Sequence, residues 1–201
     1  MLLADVLNVL EELAPLRYAE SWDNVGLLVG DPRVVIAKVL VTVDYTAAVA
    51  EEAVANDHLG DACGMHAIER RPLRPYAGEA GRAELEGIGL GRIGATSLTR
   101  ASLVAQLKAQ LGLSHLLVAG PVDGPPGTVA VAAGAGGVFV TGEVRHHEAL
   151  GAARRGVTVI ATLHSNSERA AVRAYAGRLA ARLPGVTVAA STQDRDPFTV
   201  L

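Results

Sequence analysis

The segment Val157-Thr-Val-Ile-Ala-Thr162 passes straight into Leu163-His164-Ser165-Asn166-Ser167-Glu168 and then into a helical pattern that runs to about residue 182. The first stretch reads as a sheet strand, and a strand followed at once by a helix is the repeating unit of α/β folds. The same order occurs earlier. Val39-Leu40-Val41-Thr42-Val43 stops at Asp44 and gives way to an Ala/Glu-rich helical stretch over 46–55, and this nearly continuous β-branched run is expected to be a strand buried on both faces of a sheet. The expectation is an α/β fold, a mixed or parallel sheet flanked by helices. Periodicity and boundary residues predict further helices at 2–14, 99–112 and 144–155, and further strands at 116–119, 128–132 and 138–141. A short strand between two turns is expected within 22–30.

At 201 residues the chain fits one compact domain, 1–201, or two very small ones. Its 18 basic and 21 acidic side chains leave a net charge of −3, which does not match the concentrated basic face of a nucleic-acid binder. One Trp, four Tyr and two Phe are too few for a base-stacking platform. The lone Cys63 excludes an internal disulfide and any cysteine-based zinc cluster. No apolar stretch reaches the roughly 18 residues of a membrane span, and Asp5 stands where a signal peptide carries basic residues, so a cytoplasmic protein is expected.

One junction is unusual. If 128–132 and 138–141 are parallel neighbours, the crossover needs about a dozen residues, yet only Ala133-Gly-Ala-Gly-Gly137 separates them. Either the two form an antiparallel hairpin or a segment is missing.

Among the motifs, Gly89, Gly91 and Gly94 formally match G-x-G-x-x-G. No convincing strand feeds them and no acid lies between Glu86 and Asp123 to hold a ribose, so a dinucleotide site is rejected in favour of a strand whose glycines allow close backbone approach or a bulge. The junction at His164 is more informative, because the carboxyl edge of a parallel sheet is where open α/β proteins bind ligands, and an imidazole with a carboxylate can chelate a divalent cation. For Glu168 a second role is equally open, since Ser165-x-x-Glu168 has the form of a capping box. A second cluster, Thr141-Gly-Glu143-Val-Arg-His146-His147-Glu148, again follows a strand. Adjacent helical residues point about 100° apart, so His146 and His147 do not suit one ion, whereas Glu143 and His147 are spaced to share one. The plainer reading is an exposed helix start with acids favoured by the dipole. His58, His66 and His115 are left unassigned. Asp23 and Asp44 are noted, Asp44 with helix entry as an equal alternative. Cys63 has no placed base, and neither a nucleophile elbow nor a phosphate-cradling loop is present.

The order of these motifs carries more than any one of them. Trp22-Asp-Asn-Val-Gly-Leu-Leu-Val-Gly30, Val41-Thr-Val-Asp44, Gly87-Ile-Gly-Leu-Gly-Arg-Ile-Gly94, Val140-Thr-Gly-Glu-Val-Arg-His-His147 and His164-Ser-Asn-Ser-Glu168 together resemble the Nif-three-like family, the dinuclear-metal-centre hexameric proteins also called GTP cyclohydrolase 1 type 2 homologues. The resemblance implies an α/β fold, a toroidal homo-hexamer and two metal ions per subunit. It places His164 and Glu168 as metal ligands and Glu143, His146 and His147 near the centre.

The resemblance also implies a paired-histidine motif after the helix at 46–55, and later a His-Thr-x-x-Asp motif; this chain has neither. Val54-Ala-Asn56 runs directly into Asp57-His-Leu-Gly-Asp61, which looks like the segment that follows them, and Asp57 is not promoted to ligand. Two internal deletions are therefore expected, near 56–57 and 134–137. The expected function is a divalent-metal-binding protein (zinc, iron or manganese) with an incomplete dinuclear site and weak or absent metal-dependent hydrolysis. The alternative is a noncatalytic oligomeric scaffold or regulatory protein.

Overall fold

The computed structural model describes residues 1–19, 24–56, 63–64, 74–75, 92–131 and 137–199. They fall into two compact units, each discontinuous in sequence: Met1–Glu69 with Glu168–Pro197, and Arg70–Ser167 with Phe198–Leu201. The division lies inside one helix, whose residues 164–167 belong to the second unit and whose remainder belongs to the first.

In the first unit, helix α1 (Leu3–Leu13) forms because Leu3, Val6, Leu7, Leu10 and Leu13 recur at helical spacing, and Val6 and Leu10 are buried. The Asp5 carboxylate accepts the Leu2 amide at 2.9 Å, tying down the helix entrance. A 3-10 turn, Leu16–Tyr18, follows Pro15. Strand β1 (Gly26–Leu27) pairs antiparallel with β3 (Cys63–Gly64), and β2 (Lys38–Val41) pairs in parallel with β10 (Thr187–Ala190). Helix α2 (Ala47–Ala55) is capped by Thr46, whose hydroxyl accepts the Val49 amide at 3.3 Å. Val6, Leu10 and Ile36 pack with Tyr175, Leu179, Leu183 and Val186 into this unit's core.

The expectation of a doubly covered strand at 39–43 is corrected here. Strand β2 is shorter, its Lys38 is exposed and its other three residues are half-buried, because within the described residues it pairs with β10 alone.

The second unit holds a six-stranded mixed sheet in the order β4-β5-β7-β8-β9-β6, with β4 Arg74–Pro75, β5 Arg92–Ala95, β6 Leu117–Ala119, β7 Thr128–Val131, β8 Val138–Thr141 and β9 Thr158–Ala161. Strands β7, β8 and β9 are parallel; β5 joins β7 and β6 joins β9 in antiparallel pairs. The expected strand at 157–162 is β9; all four of its residues are buried, and β8 and β6 lie along its two edges. Helix α3 (Arg100–Leu111) starts at Thr99, whose hydroxyl accepts the Ser102 amide, and ends at Gly112 in the left-handed region. Its Leu103 packs on Val138, Val140 and Ile160. Helix α4 (His146–Arg154) connects β8 to β9, and α5 (His164–Arg182) follows β9.

The junction between β7 and β8 is a parallel pair, with Val129 opposite Val138, so the hairpin alternative is removed. Residues 132–136 lie outside the described residues. Gly137, just before β8, has no room for a side chain, since a Cβ there would lie 1.7 Å from the Pro126 carbonyl oxygen. Of the glycine-rich run, residues 87–91 lie outside the described residues, while Gly94 sits inside β5, so this end of the run is a strand. Among the described residues no helix is long and apolar enough to cross a membrane.

Candidate functional site

Parallel pairing of β8 with β9 sets Thr141 beside Ala161, so the residues that leave the two strands start from neighbouring points. On the β8 side, the Thr141 hydroxyl donates to the Glu143 carbonyl at 3.0 Å and turns the chain. On the β9 side, the Thr162 amide donates to the Thr141 carbonyl at 3.0 Å, which extends the pairing by one residue. Leu163 then adopts φ 68°, and among the described residues no other non-glycine residue has a positive φ. A leucine there costs about 1–2 kcal/mol, and the reversal starts α5 at His164.

These two corners bring His164 Nδ1 to 3.5 Å from Glu143 Oε2, with both side chains 66% exposed. Gly142 permits the approach: a Cβ at that position would lie 3.1 Å from Ser167 Oγ and 3.4 Å from His164 Cα. Ser167 in turn donates its hydroxyl to the His164 carbonyl at 2.7 Å, and Asn166 Nδ2 donates to the Thr162 carbonyl at 3.0 Å. Glu168 follows His164 by four residues, one turn along α5.

Two local readings are overturned. Helix α5 begins at His164, so Ser165 is a buried first-turn residue and Ser165–Glu168 does not form a capping box. Glu143 precedes α4, whose N-cap is Arg145 with its amide 3.4 Å from Glu148 Oε2, so the spacing from Glu143 to His147 is not a helical one. His146 and His147 are exposed in the first turn of α4 with ring centroids 5.4 Å apart, edge to face. His115 is exposed beside Ser114, its Nδ1 2.6 Å from the hydroxyl. Trp22, Asp23, Asp57, His58 and His66 lie outside the described residues.

A second corner, not anticipated from the sequence, lies where β2 and β10 end. The Thr42 hydroxyl donates to the Asp44 carbonyl at 2.9 Å, and Asp44 itself is exposed; helix entry falls to Thr46 instead. Asp194 is 4% exposed. Its Oδ2 accepts the Val43 amide at 2.8 Å, and Arg169 Nε lies 3.2 Å from Oδ1 and 3.0 Å from the Asp194 carbonyl. Glu52 accepts the hydroxyls of Ser191 and Thr192 and the amides of Thr192 and Gln193. Those donors, the Ser191 hydroxyl first, pull its carboxyl from 4.5 down to about 2. A polar Ser191-Thr-Gln-Asp194 run after a short apolar stretch was the available signal for this corner; Arg169 offered none.

Chemically the two corners differ in what they leave open. A nitrogen and an oxygen bound at about 2.0–2.2 Å to one tetrahedral ion lie about 3.4 Å apart, so Glu143 and His164 fit one shared divalent cation. Among the described residues no group of three or more His, Cys, Asp or Glu side chains is assembled.

The sequence profile of Duf34/NIF3 (NGG1p interacting factor 3) matches residues 1–60 and 55–197. The NIF3 homologue of Schizosaccharomyces pombe is 28% identical over 267 aligned positions, covering 96% of this chain and 96% of that protein. A GTP cyclohydrolase 1 type 2 homologue of Staphylococcus aureus is 48% identical over 54 residues, 27% of this chain and 15% of that one. Among solved structures, a Staphylococcus aureus protein superposes with a TM-score of 0.79 at 20% identity, covering 100% of this chain and 99% of that one. Reduced HcgD from Methanocaldococcus jannaschii does so with a TM-score of 0.70 at 18% identity, over 94% and 97%. These structures share the fold, and with the profile matched along nearly its whole length the chain belongs to the Duf34/NIF3 family.

Proposed function

We propose that this chain is a divalent-metal-binding protein that holds a single ion at Glu143 and His164, with Glu168 as a further donor one turn along α5. The observation that carries this reading is the 3.5 Å separation of His164 Nδ1 and Glu143 Oε2 on two exposed side chains. Zinc, iron and manganese all accept this mixed nitrogen and oxygen donor set. When bound, such an ion supplies Lewis-acid polarisation of a carbonyl or phosphoryl oxygen. The chain's own part is to bind and orient, through the fixed corner at Leu163 and the close approach at Gly142. Two-metal hydrolysis needs donors this corner does not contain, so hydrolytic activity is expected to be weak or absent.

The test is metal analysis after exhaustive dialysis, followed by calorimetric titration with zinc and manganese. About one ion per chain, weakened by His164→Ala and by Glu168→Ala, supports the reading. A parent chain that retains and binds none overturns it.

That outcome would favour a second reading, a noncatalytic oligomeric scaffold or regulatory protein, which the absence of a larger donor group among the described residues supports. In either case a homo-oligomer, a hexamer by family resemblance, is proposed, and native mass spectrometry counts its subunits. The two-part profile match, which meets at 55–60, and an alignment of 267 positions against a 201-residue chain support loss of internal segments. Peptide mapping of protein from the native gene checks both junctions, and refutes the loss if they are found as written.

A further inference from the structure

Strand β2 leaves one edge open. The Thr187 amide donates to the Ala37 carbonyl at 2.9 Å and the Ser191 amide to the Val41 carbonyl at 2.8 Å, in register with the β2–β10 pairing. Backbone groups alternate in direction along a strand, so residues 37, 39 and 41 face β10, while the amides and carbonyls of Lys38 and Leu40 face the opposite edge. Among the described residues no strand pairs there. Two strands make a marginal sheet, and a row of unpaired amides and carbonyls is a template for another chain. Apolar surface is exposed at both ends of this strand. Upstream lie Met1, Leu2, Val34 and Val35, the last 70% exposed, where the Leu3 amide donates to the Val34 carbonyl and the Ile36 amide to the Met1 carbonyl, both at 2.8 Å. Downstream, Tyr45 is 66% exposed beside the exposed Asp44.

The two ends of β2 complement each other. A strand added in parallel would bring like ends together, lysine beside lysine. An antiparallel copy sets the start of each strand beside the end of the other, with Lys38 toward Asp44 and the Val34–Val35 patch toward Tyr45. Lys38 donates to the Asn56 carbonyl at 2.7 Å and retains two further ammonium protons for such a contact. A two-fold axis through Leu40 places this residue opposite its own copy, in a pair that exchanges both amide–carbonyl bonds, and places Lys38 opposite Thr42. We propose that β2 pairs antiparallel with the β2 of a second copy of this chain, giving a continuous four-stranded sheet in the order β10-β2-β2-β10. This contact uses no residue of the proposed cation site. It rests on the oligomer reading given above and names the surface that builds it. Being isologous, it gives assemblies with an even number of chains.

The experiment is native mass spectrometry with sedimentation velocity on the full chain. Leu40→Pro removes the outward amide, which β10 does not use, and is expected to halve the number of chains per particle. Lys38→Glu brings acids together at both ends of the contact and is expected to weaken association about tenfold. Adding Asp44→Lys to Lys38→Glu exchanges the two charges and is expected to restore association. The charge exchange serves if circular dichroism shows that Leu40→Pro fails to fold. An odd number of chains in the parent overturns the β2 contact and leaves the oligomer reading intact. So does a folded Leu40→Pro with the parental number, unchanged association in Lys38→Glu, or an exchange that restores nothing. A parent that runs as a single chain overturns both.

Discussion

The ends of β8 and β9 and the ends of β2 and β10 are built alike: two parallel strands stop side by side, and a threonine hydroxyl in each bonds the carbonyl of an acid two residues on, Thr141 to Glu143 and Thr42 to Asp44. They differ in what their acids do. At the second corner Asp194 is buried, and the Asp194 and Glu52 carboxylates accept nearby amides, hydroxyls and a guanidinium. At the first, Glu143 and His164 face each other with two-thirds of each side chain in solvent. An acid saturated by its own chain is a structural clamp. An exposed acid beside an imidazole is where the proposed ion would bind, and that contrast separates the proposed site from a brace built on the same local geometry.

If the contrast holds, substitutions at the two corners should move different observables. The largest effect is expected at Asp194. Asp194→Ala removes the buried carboxylate that Arg169 faces and leaves the Val43 amide without its acceptor, a loss of about 3–5 kcal/mol of stability measurable by urea unfolding. A loss below about 1 kcal/mol would show that the β2–β10 corner is not a clamp. His164→Ala should do the reverse: unfolding free energy within about 0.5 kcal/mol of the parent, as for an exposed residue, and ion affinity lowered at least tenfold, or about 1.4 kcal/mol. Loss of stability without loss of binding would make the first corner structural too.

The pH dependence sharpens the same division. The hydroxyls of Ser191 and Thr192 hold the folded-state carboxyl of Glu52 at about 2, below its ordinary 4.5. A depressed acid contributes stability that is fully present above the unfolded value and is lost as pH falls through the folded one. Stability from Glu52 should therefore be constant above about pH 5 and decline between about 4.5 and 2. Unfolding midpoints measured across this window should show a shallower decline in Glu52→Gln than in the parent; identical slopes would remove Glu52 from the clamp.

What could be read in advance follows from how local each cause is. The spacing of Leu3 through Leu13 makes α1, Thr99 and Gly112 bound α3, and the unbroken run at Thr158–Ala161 gives a strand. The meeting of Glu143 with His164 was legible for a similar reason, since parallel strand ends necessarily lie together. Strand β10 was not, because Thr187-Val-Ala-Ala190 has no alternation and gains its partner from residues about 150 positions earlier. Asp194 is opaque on the same ground: its contacts are 25 and 151 residues away. Ser165-x-x-Glu168 misled because the start of α5 is set by where β9 ends and by the turn at Leu163, a tertiary condition that outweighs a local capping pattern.

The smallest expected effect tests how tightly the first corner is closed. In Gly142→Ala the new methyl group would sit 3.1 Å from Ser167 Oγ and 3.4 Å from His164 Cα. The second distance is ordinary contact, so the hydroxyl must yield, and it yields by rotating off the His164 carbonyl that it bonds at 2.7 Å. A lost hydrogen bond of this kind is worth about 1 kcal/mol, and the lower unfolded-state entropy of alanine returns about 0.4–1 kcal/mol, so net stability should barely change. Ion affinity should fall by no more than about threefold, because freeing the first turn of α5 loosens His164 against Glu143 without removing either donor. Ser167→Ala removes both the crowding and the hydrogen bond, so Gly142→Ala in that background should cost nothing further in calorimetric titration. A tenfold loss there would mean that backbone contact with His164 Cα, and not the serine, sets the gap between the two corners.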